Sequence, residues 1–138
     1  MLNKIIIMIR RFFYYGIFGI FMEILWTGIN SLFRGDLTFR GNSSVIMFFI
    51  YGMVVFLEPV FELFKNQCFF VRIITYSVFI FAVEYYSGIL LTSIGICPWH
   101  YSCAFSIDSV IRLDYIVIWA IAGYVYERLY LGGFGHNL

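Results

Sequence analysis

Charge is what this sequence has least of. Of its 138 residues only 12% are Asp, Glu, Lys or Arg, about half the share of a soluble domain. A water-facing surface could not be covered with so few. Cysteine occurs three times, too rarely for a disulfide scaffold. A net charge of +1 leaves no basic field for nucleic acid and no acidic tail, so no nucleic-acid partner is expected. The chain has no Gly-rich phosphate loop ending in Lys-Ser/Thr, no Gly-x-Ser-x-Gly and no His-Glu-x-x-His. Nucleotide hydrolysis and two common hydrolytic chemistries therefore lack their motifs, and no cofactor is expected.

Apolar surface is what the chain has in excess. Hydrophobic residues make up 62%, and 17 Phe with 11 Tyr help bring aromatics to 22%. The solvent for most of this surface is expected to be lipid, with the whole of 1–138 as one membrane domain. A hydrocarbon core about 30 Å thick needs roughly 20 apolar helical residues. Four segments qualify, at about 12–33, 44–64, 69–94 and 113–131. The predicted fold is all-α, an integral membrane four-helix bundle. Lys4 before the apolar run Ile5 to Ile9 imitates a signal peptide, but Arg10 and Arg11 cut the run short and no small-residue cleavage site follows. Met1 to Arg11 reads as a retained amphipathic lead-in, and Gly132-Gly133-Phe134-Gly135 as a flexible end.

Lys4, Arg10, Arg11, Lys65, Arg72 and Arg128 fall on one side of these spans, Arg34, Arg40 and Arg112 on the other. The bias predicts a cell-membrane protein with both termini cytoplasmic; an inverted or dual topology is the alternative. Between the third and fourth spans, Pro98, Trp99, Tyr101 and Phe105 suit an interfacial loop at headgroup depth. A re-entrant loop is the alternative, and would need its backbone shielded by protein or water. Cys97 and Cys103 share this loop and are expected to be free thiols, with a bridge as the alternative. The Cys97-x2-His100-x2-Cys103 pattern does not have the spacing of a zinc finger and lacks an obvious fourth ligand. His136 lies at the other predicted face, and no metal site is expected.

The two helical hairpins resemble one another. Glu23 precedes Gly28 in the first span as Glu84 precedes Gly88 in the third, and Gly52 precedes Glu58 in the second as Gly123 precedes Glu127 in the fourth. Two hairpins of the same orientation would form a parallel repeat.

Acids inside spans carry the most information. An ionised side chain at mid-bilayer costs roughly 2.5–3.5 kcal/mol even on insertion scales, so such a group should face the interior, be paired or be protonated. Glu23 and Glu84 lie near mid-span, Glu58 and Glu127 in the cytoplasmic halves, and Glu62 near a boundary. Gly16, Gly19, Glu23, Trp26 and Asn30 share one helical face. Ser77, Glu84, Gly88 and Leu91 share another, with Tyr76 beside it. Trp119, Gly123, Tyr126 and Tyr130 do the same, with Glu127 adjacent. Small residues let helices approach, and the stripes fit a polar centre. Interfacial ion pairs, Glu62 with Arg72 or Glu127 with Arg11, are the plainer alternative. Pro59 after Glu58 should kink the second span.

Several of these residues carry a family resemblance. The run Arg72-x3-Tyr76-x7-Glu84-x3-Gly88, then Cys97-Pro98-Trp99-His100-Tyr101-Ser102, resembles the vertebrate transmembrane protein 229 group and the wider bacterial family labelled ABC-transporter type IV, or CmpB-like. Gly19 and Glu23, Phe39 with Gly41, and Phe49-Ile50-Tyr51-Gly52 add to it, over about Phe12 to Arg128. Where that family has Asp after the loop Trp, this chain has His100. The resemblance implies a multi-pass membrane protein with a transporter label.

The leading expectation is a small transport-associated subunit with a carboxylate-lined interior. Glu23, Glu58 and Glu84 would bind a proton, cation or cationic substrate. Trp26, Asn30, Tyr51, Tyr76, Trp99, His100, Tyr101 and Glu127 would support them. Besides the lipid bilayer, a homodimer or a partner membrane subunit is expected. A structural or assembly subunit is the second reading. A membrane-embedded enzyme or lipid-binding protein is the third, with burial-raised acids doing acid–base chemistry on a headgroup.

Overall fold

The computed structural model describes residues 1–134; Gly135, at the end of the glycine-rich tail, and His136 lie outside them. The chain is mostly helical. Three helices, Leu2–Phe33, Val45–Phe64 and Phe69–Ser93, are long and apolar enough to cross a membrane. Large apolar side chains stand exposed along them, among them Phe13, Ile17 and Phe21 at successive turns, and Phe70, Ile74 and Val78 likewise. Apolar stripes of this extent are rare on a water-soluble monomer and suit lipid.

Two compact units divide the chain, Met1–Phe56 and the residues from Leu57 onward. In the first, α1 (Leu2–Phe33) runs unbroken through the lead-in and the expected first span. No Pro falls in it and no Gly precedes Gly16, and Arg10 and Arg11 are good helix formers, so nothing breaks the helix at Phe12. It ends at Gly35, whose φ of 90° takes the left-handed conformation that terminates helices. After the loop, Ser44 caps α2 (Val45–Gly52) through its hydroxyl, which accepts from the Ile46 N–H at 3.3 Å. The α1–α2 seam closes where Phe48 lies over Gly16. A Cβ on Gly16 would stand 2.7 Å from the Phe48 ring, closer than any side chain tolerates. Phe12 meets the Phe48 ring edge-on at 5.9 Å.

Pro59 acts on the second span as a change of helix type. Residues Met53–Leu57 form a 3-10 segment, and α3 (Glu58–Phe64) restarts with Pro59 in its first turn. Proline has no N–H to give the carbonyl four residues back and its ring crowds that carbonyl, so the preceding turn tightens to i→i+3 bonding.

The second unit pairs α4 (Phe69–Ser93) with α5 (Ile116–Leu129). Gly123 on α5 lets the Tyr76 side chain of α4 come close: a Cβ there would lie 2.6 Å from Tyr76 Cβ. The fully buried Phe61 meets the Tyr76 ring edge-on at 5.0 Å. A 3-10 turn, Leu113–Tyr115, leads into α5, and a π-helical turn, Tyr130–Phe134, continues it. The sequence reading places a flexible end at Gly132, whereas the chain stays helical there to Phe134.

The long linker folds into a hairpin. Strands β1 (Ser106–Ile107) and β2 (Ile111–Arg112) pair antiparallel, a small ribbon in a mostly helical chain. Asp108 and Ser109 turn it with φ of 49° and 60°, and the buried Val110 lies against α4 at Gly88. A Cβ on Gly88 would stand 2.7 Å from Val110 Cβ, so only glycine admits the hairpin this close. Two of its carbonyls are paired within protein: the Trp99 indole donates to that of Val110 at 2.8 Å, and the Tyr101 N–H donates to that of Ser109 at 2.9 Å. Cys68, Cys97 and Cys103 are free thiols.

Candidate functional site

Glu84 sits nine residues before the end of α4, about 13 Å down the helix axis at 1.5 Å per residue. The residue is 8% exposed. The folded linker and α5 each send one donor to it. The Tyr101 hydroxyl donates to Oε1 at 3.1 Å, and the Trp119 indole Nε1–H donates to Oε2 at 3.0 Å. Both donors are neutral, and none of the ion pairs among the described residues includes Glu84.

Arg112 stands behind Tyr101. Its guanidinium lies 4.4 Å from the Tyr115 ring centroid and 5.9 Å from that of Tyr101, and its Nε and Nη2 grip both carboxylate oxygens of Asp114. Hydrogen bonding to Asp114 pushes the Arg112 guanidinium above its ordinary range, so its charge is permanent. Burial, and then the neighbouring Glu84 carboxylate, push the Tyr101 phenol up. Tyr101 therefore keeps its hydroxyl hydrogen. Tyr85 holds the other side of the loop by donating to Asp108 Oδ2 at 2.8 Å.

Glu127 has a different environment in the same unit. Its side chain is fully buried, and Arg72, on the first turns of α4, binds it in bidentate fashion through Nε (2.9 Å to Oε1) and Nη2. The Tyr76 hydroxyl donates to Oε1 at 2.7 Å. Charge, geometry and hydrogen bonds are all satisfied, the condition under which a buried ion pair is tolerated. Where the sequence suggests Arg11 for Glu127 and Arg72 for Glu62, Glu127 takes Arg72, and Glu62 takes Lys65 one turn along at 2.6 Å.

In the first unit, the half-buried Glu23 accepts from the Ser43 hydroxyl at 2.6 Å and from the Tyr51 side chain on α2. Asn30 turns back to donate to the Trp26 carbonyl at 2.9 Å, and the Trp26 side chain is exposed. Glu58 is half-buried at the start of α3. Trp99 is committed to the hairpin and His100 is exposed. Among the described residues, no three His, Cys, Asp or Glu gather as metal ligands, so the Cys97, His100, Cys103 pattern assembles no such group.

The candidates thus resolve into three settings: Glu84 with Tyr101 and Trp119, Glu127 with Arg72 and Tyr76, and Glu23 with Ser43 and Tyr51. Ser43, Trp119, Arg112 and Asp114 were not singled out as site residues by the sequence. One signal was there to find: Arg-x3-Tyr-x7-Glu occurs at Arg11, Tyr15 and Glu23 as it does at Arg72, Tyr76 and Glu84. No protein-family model matches the chain, and no solved structure matches it.

Proposed function

We propose that the chain is a multi-pass, transport-associated membrane subunit in which Glu84 binds and releases a proton. The supporting observation is the company Glu84 keeps: a carboxylate deep in an apolar helix, held by two neutral donors and no cation. As an anion there it is poorly compensated; as an acid it fits. The added proton on Oε1 needs an acceptor, and a tyrosine hydroxyl can accept as well as donate. Trp119 can only donate, and continues to serve Oε2. Rotation of one hydroxyl accommodates the change of charge without moving a heavy atom. A metal ion fits less well, because an indole N–H offers it no lone pair and hard cations take six or more oxygen ligands.

The proposed subunit has four spans bundled around a carboxylate-lined interior and cytoplasmic termini, and works as a homodimer or with a partner membrane subunit. The resemblance to the CmpB-like and transmembrane protein 229 groups supports a membrane role of this kind. The test is proton flux in proteoliposomes containing a pH-sensitive dye under an imposed potential. Wild type should change the internal pH under the potential, and Glu84→Gln should reduce the rate at least tenfold. Equal rates, or no flux in the wild type, overturn the proposal.

One observation favours a scaffold instead. Glu23, Glu84 and Glu127 each find hydrogen-bond partners within their own unit. A scaffold predicts that Glu84→Gln lowers stability and leaves any flux unchanged.

A further inference from the structure

The two helix–loop–helix halves use the same parts to hold their mid-helix acid. In each, the first helix carries Arg-x3-Tyr-x7-Glu. The tyrosines, Tyr15 and Tyr76, are both buried, and the residues after them, Gly16 and Ser77, are small and buried. The acid then receives one hydroxyl from the loop that follows, Ser43 for Glu23 and Tyr101 for Glu84. A second donor comes from an aromatic residue of the returning helix, Tyr51 or Trp119. Past the acid, a glycine admits the same loop: Gly28 faces Phe39, with a Cβ 3.3 Å from its carbonyl oxygen, and Gly88 faces Val110. On the returning helix a glycine seats an aromatic ring from the first, Gly52 against Phe12 and Gly123 against Tyr76. These correspondences involve donors, depth and packing, and the donor residues are not themselves alike, so composition alone does not produce them.

We infer that the chain is two copies of one acid-holding module, and that Glu23 is a second proton-binding site equivalent to Glu84. The inference rests on the reading of Glu84 given above and extends it to two protons per chain. At Glu23 the new O–H bond forms on Oε2, the proton is given up by a hydronium ion that is left as water, and the Ser43 oxygen becomes the acceptor. Like Glu84, Glu23 enters none of the ion pairs among the described residues. Glu127, locked to Arg72, belongs to neither site.

Dicyclohexylcarbodiimide tests this, because it modifies protonated carboxylic acids in apolar surroundings. The full-length wild-type chain in proteoliposomes is treated with the reagent, digested, and its adducts mapped by mass spectrometry. Mapping on the wild type removes any dependence on the folding of a variant. Two adducts are expected, at Glu23 and Glu84, with Glu127 unmodified; Glu23→Gln should lose the first and keep the second. An adduct at Glu84 alone overturns the second site and leaves the first standing. Adducts at neither residue bring down both. Modification of Glu127 as fast as the other two would mean that burial, and not protonation, governs the labelling, and would also overturn the inference.

Discussion

Replacing Arg72 with Met should cost stability in a way that depends on pH. Arg72→Met leaves Glu127, whose side chain is fully buried, with the Tyr76 hydroxyl at 2.7 Å and no paired cation among the described residues. Removing one partner of such a pair costs about 3–5 kcal/mol. The stranded carboxylate can escape by taking up a proton. A glutamic acid in an unfolded chain titrates near about 4.3. Protonating it at pH 7 therefore costs about 3.7 kcal/mol, at about 1.36 kcal/mol per pH unit, which caps the loss at about that size. The folded variant then holds a proton that the unfolded chain has released, so its stability rises as pH falls. The deficit should shrink by about 1.4 kcal/mol per unit, to about 1 kcal/mol at pH 5. Arg72→Met/Glu127→Met removes both charges and should recover most of the loss. Reversible denaturation in mixed micelles, followed by tryptophan emission from pH 7 to 5, measures all three chains. A loss that ignores pH, or a double variant no better than Arg72→Met, refutes the reasoning.

Other parts of the structure lead to further tests. Gly88→Leu forces its side chain into Val110; about 1–3 kcal/mol should be lost to overpacking, with faster hydrogen exchange at the Val110 and Tyr101 amides. A result equal to wild type would mean that the hairpin does not seat on α4. The exposed Cys103 and Cys68 test the proposed orientation, since a membrane-impermeant maleimide added to sealed right-side-out vesicles should label Cys103 and spare Cys68. The reverse pattern inverts the topology. In the first loop, Asp36 accepts from the Thr38 hydroxyl and from its N–H at 3.0 Å, contacts that hold its carboxyl below the usual range. The turn's contribution is therefore full at neutral pH and lost only as pH falls through that lowered value. The Thr38 amide resonance should move there, and a midpoint at or above the ordinary carboxylate range would contradict the assignment.

Much of the helical framework was legible because lipid imposes a length and forbids charge. Runs such as Phe69 to Ser93 could be little else. The acids were legible for the same reason, being costly where they stand. Their partners were not. Periodicity puts Glu127 on a face but does not say which cation reaches that face. Arg72, three residues into α4, looked like a boundary charge, whereas it lies alongside Glu127 once α4 and α5 pack. The ribbon left no trace because two-residue strands are too short to alternate, and because Asp108 and Ser109 take left-handed φ without a glycine to mark them. Pro59 announced a disturbance without saying that the helix would absorb it by tightening.

Trp119 has one more consequence. Its ring nitrogen is bonded to the carboxylate proposed to gain and lose charge, so the indole's emission should depend on whether that neighbour is an anion. Among the described hydrogen bonds Trp26 and Trp99 donate to no acid, and replacing both with Phe would leave one indole, excited selectively at wavelengths beyond tyrosine absorption. The chain would then carry an intrinsic optical readout of its own ionisation, seen in the colour of one ring without any added dye.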